Sequence, residues 1–260
     1  MHWVRFVNDG VEGFGALSDG LITPYSGEFF GAHRASSSTL LYDEVEILTP
    51  VCPGKIIGLA NNFHALIEKT GGTVPLEPLY FIKANTSLNS DGGEIVRPRG
   101  YDGKVIFEGE LGLVIRKTCR NVAPDEAMEF LLGCTCVNDV TAIELLHKDR
   151  SFPQWTRAKA ADTFGVIGPV IATDLEPALL HVKTQVNGQQ RQCFPVSDMV
   201  FTVEELVSRL SRDMTLEAGD IIACGTSVGV GTLRNDDVVT VTIDGVGSIT
   251  NTFRDSVESK

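Results

Sequence analysis

Phe107-Glu108-Gly109-Glu110-Leu111-Gly112-Leu113-Val114-Ile115 reads as a β-strand whose first half carries two acids. Side chains alternate along a strand, so Glu108 and Glu110 share a face about 7 Å apart. Two carboxylates at that spacing repel each other unless solvent or a cation lies between them. Either this is a half-exposed strand with its polar face in water, or it is one wall of a cation site. Asp139 bears on the choice, since it sits in the apolar run Cys136-Val137-Asn138-Asp139-Val140. An unpaired buried carboxylate costs several kcal/mol, so a partner is expected. Asp139 also fits a turn or a helix N-cap, which the neighbouring Thr141 permits. Three carboxylates, completed by water or substrate oxygens, suit Mg²⁺ or Mn²⁺, with Ca²⁺ also admitted, rather than a structural zinc.

Outward from that strand, the pattern predicts an α+β protein dominated by strands. Thr163–Ala172, Ile221–Cys224, Val238–Ile243 and Phe107–Arg116 itself read as β, with Ala218-Gly219-Asp220, Asn235-Asp236-Asp237 and Asp244-Gly245 as turns. Two helices are predicted. Pro124–Leu132 has proline and acids in its first turn and Gly133 after its last. Thr202–Met214 opens with a capping box, Thr202 with Glu205. Residues 1–48 read as a small N-terminal β domain, with short alternating segments (His2–Val7, Gly13–Leu17) punctuated by Asp9-Gly10, Asp19-Gly20 and Ser26-Gly27. Pro50 and Pro53-Gly54 mark a boundary, after which Lys55–Leu59 reads as a buried strand and residues 49–260 as the catalytic domain.

The chain has 260 residues, 43% hydrophobic and 22% charged, with a net charge of -12. A uniformly negative field argues against nucleic acid and anionic membrane as partners, while a bound metal can still attract an anionic substrate locally. No stretch approaches the ~18 apolar residues of a membrane span. Met1–Phe6 lacks the pattern of a secretory signal. The six cysteines have no Cys-x-x-Cys spacing, so a reducing, cytoplasmic setting is expected. Cys134 and Cys136 should pack as small hydrophobes.

Further residues could carry chemistry. Lys159, in Trp155-Thr156-Arg157-Ala158-Lys159, is either a solvated lysine or, beside a metal, a group that holds an oxyanion. If Phe63–Lys69 is helical, His64 and Glu68 lie one turn apart, where a carboxylate can orient an imidazole base; helical ion pairs of this kind are also common without function. Gly225-Thr226-Ser227-Val228-Gly229-Val230-Gly231 either brings backbone N–H groups to an anion or forms a glycine-rich hairpin. It lacks the Lys-Ser/Thr ending of a phosphate loop.

Taken in order, these pieces resemble the fumarylacetoacetate hydrolase superfamily from about Lys55 to the final strands. The matching stretches include Pro78–Lys83, Glu108–Leu111, Asn138–Ala142, Trp155–Lys159 with Asp162-Thr163-Phe164, Gly168-Pro169, Val186–Gly188 with Arg191-Gln192, Met214–Asp220 and Gly225-Thr226. The resemblance implies a mixed-sheet β-roll catalytic domain, expected as a homodimer. It implies Glu108, Glu110 and Asp139 as metal ligands and Lys159 as a catalytic contact. His64, with Glu68, becomes the water-activating pair of a mobile lid, and Lys83, Gln192 and Thr226 bind substrate. Members cleave acylpyruvates, decarboxylate oxaloacetate or isomerise 2-hydroxydienoates, and in each the metal stabilises an enolate.

Two departures stand out. Where many members have Arg and, three residues on, Gln, this chain has Ile143 and Leu146, leaving His147, Lys148 or Arg150 to supply those contacts. The lid acid sits four residues after the histidine, at Glu68, with Ile67 in the usual place. The leading expectation is hydrolytic C–C cleavage of an acylpyruvate. Decarboxylation of oxaloacetate, dienoate isomerisation and a non-catalytic metal-binding member are the alternatives.

Overall fold

A computed structural model describes residues 1–255. Among them, most strands join one thirteen-stranded mixed sheet. At its centre Leu131–Asp139 lies between Gly109–Ile115 and Gly165–Ala172, antiparallel to both. Gly109–Ile115 continues to Ile221–Ala223, which pairs in parallel with Ile56–Ala60, and Leu79–Lys83 ends the path. The central strands are buried on both faces, which explains their near-continuous apolar runs. A five-stranded sheet packs against this core. It contains His181–Val186, Gln189–Pro195, Val238–Ile243 and Gly247–Arg254. This is the strand-dominated, mixed-sheet roll expected from the sequence.

Residues 1–48 form hairpins at two of the three expected turns, while Ser26-Gly27 ends the strand Leu21–Gly27 and pairs with Arg34 and His33. Asp9-Gly10 and Asp19-Gly20 have positive φ at both positions, as tight primed turns require. The first strand, His2–Asn8, hydrogen-bonds to Gly165–Ala172, so this segment extends the large sheet.

Among the described residues there are four α-helices: α1 (His64–Thr70), α2 (Ile143–Leu146), α3 (Trp155–Lys159) and α4 (Val203–Asp213). In α4 the Thr202–Glu205 capping box is present in both directions. The helix expected over Pro124–Leu132 is instead a 3-10 helix ending at Phe130. Leu131, Leu132 and Gly133 begin the central strand, because a Cβ at Gly133 would lie 2.3 Å from the Ala172 carbonyl oxygen. That glycine permits close strand approach and is not a helix cap. The strand expected to run from Phe107 to Arg116 is broken at Glu108, since Val105–Phe107 belongs to a separate three-stranded sheet. All six cysteines are free thiols, with Cys134 and Cys136 packed in the core. Among the described residues no helix is long and apolar enough to cross a membrane.

Candidate metal and substrate site

Glu108 is the one residue between two strands of different sheets. Asn138 holds this joint, its Oδ1 accepting from the Glu108 N–H at 3.0 Å. The Asp139 N–H then donates to the Glu108 carbonyl at 2.9 Å, which brings Asp139 alongside. Gly109 pairs with Asn138 across the ladder, and Glu110 follows with its side chain buried. Carboxylate oxygens of Glu108, Glu110 and Asp139 lie within 4.8 Å of one another. The sequence reading of these three acids as one cluster is what the structure shows.

Two buried lysines enter the same cluster. Lys83, from the last strand of the sheet, places Nζ 2.5 Å from Asp139 Oδ1. Lys159, at the end of α3, bridges Asp139 Oδ2 and Glu108 Oε2 at 2.6 Å each. Thr141 Oγ1 donates to Glu108 Oε1 at 3.3 Å, and the Gly225 N–H donates to Glu110 Oε2 at 2.8 Å. Glu110 Oε1 is buried with no protein partner. Counted formally, three carboxylates face two ammonium groups, an excess of one acid.

The electrostatics follow from burial and pairing. Burial pushes the Glu110 carboxyl well above the usual range, and the Asp139 charge adds to the effect. Burial also raises Glu108, with Lys159 opposing. For Asp139 the burial effect is outweighed by Lys159 and Lys83, so its carboxyl lies below its ordinary value. Burial lowers Lys83 despite Asp139. Lys159 is raised, because Asp139, Glu108 and Glu110 together overcome its desolvation. An all-oxygen donor set, one orphaned carboxylate oxygen and an excess of one acid fit a hard divalent cation.

Gln192 and Thr226, read as substrate-binding residues, face the main chain of the acidic segment. Thr226 Oγ1 donates to the Gly109 carbonyl at 2.8 Å and accepts from Gln192 Nε2 at 2.9 Å, while Gln192 Oε1 accepts from the Gly109 N–H at 3.0 Å. They fix the segment that carries Glu108 and Glu110. The glycine-rich loop does meet an anion through a backbone N–H, and that anion is Glu110.

α1 starts at His64, with His64 and Glu68 both exposed; no hydrogen bond or ion pair joins them. Its root is anchored by Asn62, which the sequence reading passed over. Asn62 Nδ2 donates to the Cys224 carbonyl at 2.8 Å, next to the Gly225 that binds Glu110. Phe63 is fully buried and packs edge-on against Phe194. Leu146 is buried and Ile143 half-buried, while His147, Lys148 and Arg150 are exposed on the same turn.

The fold and the cluster are those of a known group of proteins. The chain matches the fumarylacetoacetate (FAA) hydrolase C-terminal family over residues 55–254, and the Rv2993c-like, N-terminal family over residues 1–50. It belongs to the fumarylacetoacetate hydrolase family and is an enzyme of that superfamily. Oxaloacetate tautomerase YisK of Bacillus subtilis is 36% identical over 222 residues, 80% of this chain and 73% of that relative. A 2-hydroxyhepta-2,4-diene-1,7-dioate isomerase from Mycobacterium marinum superposes with a TM-score of 0.90 at 32% identity, covering 100% of both chains. A maleylpyruvate hydrolase from Sphingobium sp. SYK-6, solved with manganese(II) and pyruvate, superposes with a TM-score of 0.81 at 26% identity, covering 99% of this chain and 100% of the other.

Proposed function

We propose that this enzyme depends on Mg²⁺ or Mn²⁺ and cleaves the C–C bond of a small acylpyruvate by hydrolysis. The observation that carries the reading is the buried Glu108–Glu110–Asp139 cluster with Lys159 bridging two of its acids. Glu108, Glu110 and Asp139 would hold the cation, which supplies Lewis acidity toward the oxygens of a 2-oxo acid. Lys159 stays protonated because its carboxylate neighbours favour the ammonium form, so its Nζ donates to negative charge that develops on a substrate oxygen. Glu108 is the ligand with solvent access, its side chain 15% exposed, so substrate enters on its side. His64, on a helix rooted beside Gly225, accepts the proton of the attacking water at a ring nitrogen.

A second reading, tautomerisation or decarboxylation of oxaloacetate, needs the same charge stabilisation and no water attack. It is favoured by the lack of any bond between His64 and Glu68, and by the activity of the Bacillus subtilis relative. Product analysis separates them. Hydrolysis requires pyruvate from acetylpyruvate, lost with EDTA, restored by Mn²⁺ and reduced about 10²–10⁴-fold in His64→Ala. Metal-dependent turnover of oxaloacetate alone, unchanged in His64→Ala, would select the second reading.

A further inference from the structure

Leu79, Phe81 and Lys83 alternate on one strand and therefore share a face. Lys83 ends that row inside the carboxylate cluster, and Leu79 begins it roughly 13 Å away at the surface. Between them the Phe81 ring stacks on Trp155, centroids 5.0 Å apart and planes 9° from parallel. The Lys159 Nζ lies 5.1 Å from the Phe81 centroid, so this ring is in contact with the cluster. The same ring lines a cavity of about 360 Å³, together with Ala60, Pro78, Leu79, Tyr80 and Trp155. No charged side chain lines it, and the Tyr80 hydroxyl is directed to Asp213 at 3.2 Å.

We propose that this cavity receives the substrate's tail, and that the tail is neutral and apolar, an alkyl or aryl group on the 2-oxo acid rather than a second carboxylate. The inference rests on the reading that a 2-oxo acid head sits at the carboxylate cluster. Two observations point the same way. A far carboxylate would find no cation in the cavity, where desolvation would weaken its binding. Leu79 at 46% exposed and Tyr80 at 37% are large apolar surfaces left open at the cavity's mouth.

N-alkyl oxamates are inert 2-oxo acid analogues, and they test the proposal without turnover. Calorimetric titration of the full chain with Mn²⁺ present should show affinity rising about fourfold per added methylene. A carboxylate-ended oxamate of equal length should bind more weakly than its methyl-ended counterpart. Trp155→Ala should flatten the chain-length slope, and the exposed Leu79→Asp provides the same test should Trp155→Ala fail to fold. The slope is the readout, so a general loss of head binding does not imitate the result. Oxamate binding without chain-length dependence overturns the tail inference alone, as does a slope that survives in a folded variant. Failure of unsubstituted oxamate to bind overturns the head-site reading and the inference with it.

Discussion

Glu110→Gln should make the metal-free protein more stable while removing its response to metal. Glu110 is fully buried, and its Oε1 has no donor. Burial and the Asp139 charge hold its carboxyl well above the usual range, so its ionised form is disfavoured in the fold and costs stability relative to the unfolded chain. Glutamine keeps the shape and the acceptor for the Gly225 N–H, now 2.8 Å from Oε2. Its amide can donate toward the neighbouring carboxylates, in place of a charge that repels them. Relief of a buried, unpaired charge is on the order of 1–3 kcal/mol. At about 2–4 °C per kcal/mol for a chain of this size, the metal-free Tm rises by about 2–12 °C. In the unsubstituted protein, Mn²⁺ at 100 times its Kd adds about 2.7 kcal/mol, a rise of about 5–11 °C. Thermal unfolding after chelation, with and without added Mn²⁺, reads both effects. A lower metal-free Tm in Glu110→Gln, or an equal Mn²⁺ response in the two proteins, would refute the reasoning.

Gly109→Ala places a Cβ 2.1 Å from Thr184 Oγ1 and displaces the segment between the two glutamates. A Tm lower by about 2–12 °C and weakened Mn²⁺ binding are expected in melts and titrations. Mn²⁺ affinity should rise with pH, because the Glu110 carboxyl is raised and a proton competes with the ion until the pH exceeds that raised value. By the same sign, Glu110 contributes a fall in metal-free stability as pH climbs above its ordinary 4.5, and unfolding across pH should show that fall weakened in Glu110→Gln. Thr202→Ala removes one arm of the α4 capping box and should cost about 1 kcal/mol, seen as a Tm lower by about 2–4 °C.

Local chemistry made parts of this molecule readable in advance. The Thr202–Glu205 box, the Asp-Gly turns and the strand Val238–Ile243 are decided by residues within a few positions of each other. Asp139 was readable because an acid in an apolar run requires a partner, and the structure supplies Lys83 and Lys159. What escaped depends on distant chain segments. Nothing near Asn62 announces a contact with Cys224, 162 positions away. Gly133 resembles a helix cap in sequence, and only the approach of Ala172 shows it to be a strand glycine. The break at Glu108 arises because Val105–Phe107 and Gly109–Ile115 are claimed by different sheets, a competition that alternation along one strand cannot reveal. For the same reason Gln192 and Thr226 look like free polar groups until the register places them on Gly109.

Titration of the chelator-treated chain with Mn²⁺, followed by loss of the free-ion electron paramagnetic resonance signal, tests the central claim most directly. The account predicts one tightly bound Mn²⁺ per chain, perturbed by added oxamate and lost in Glu110→Gln. No tight binding, or equal binding by both proteins, would contradict it.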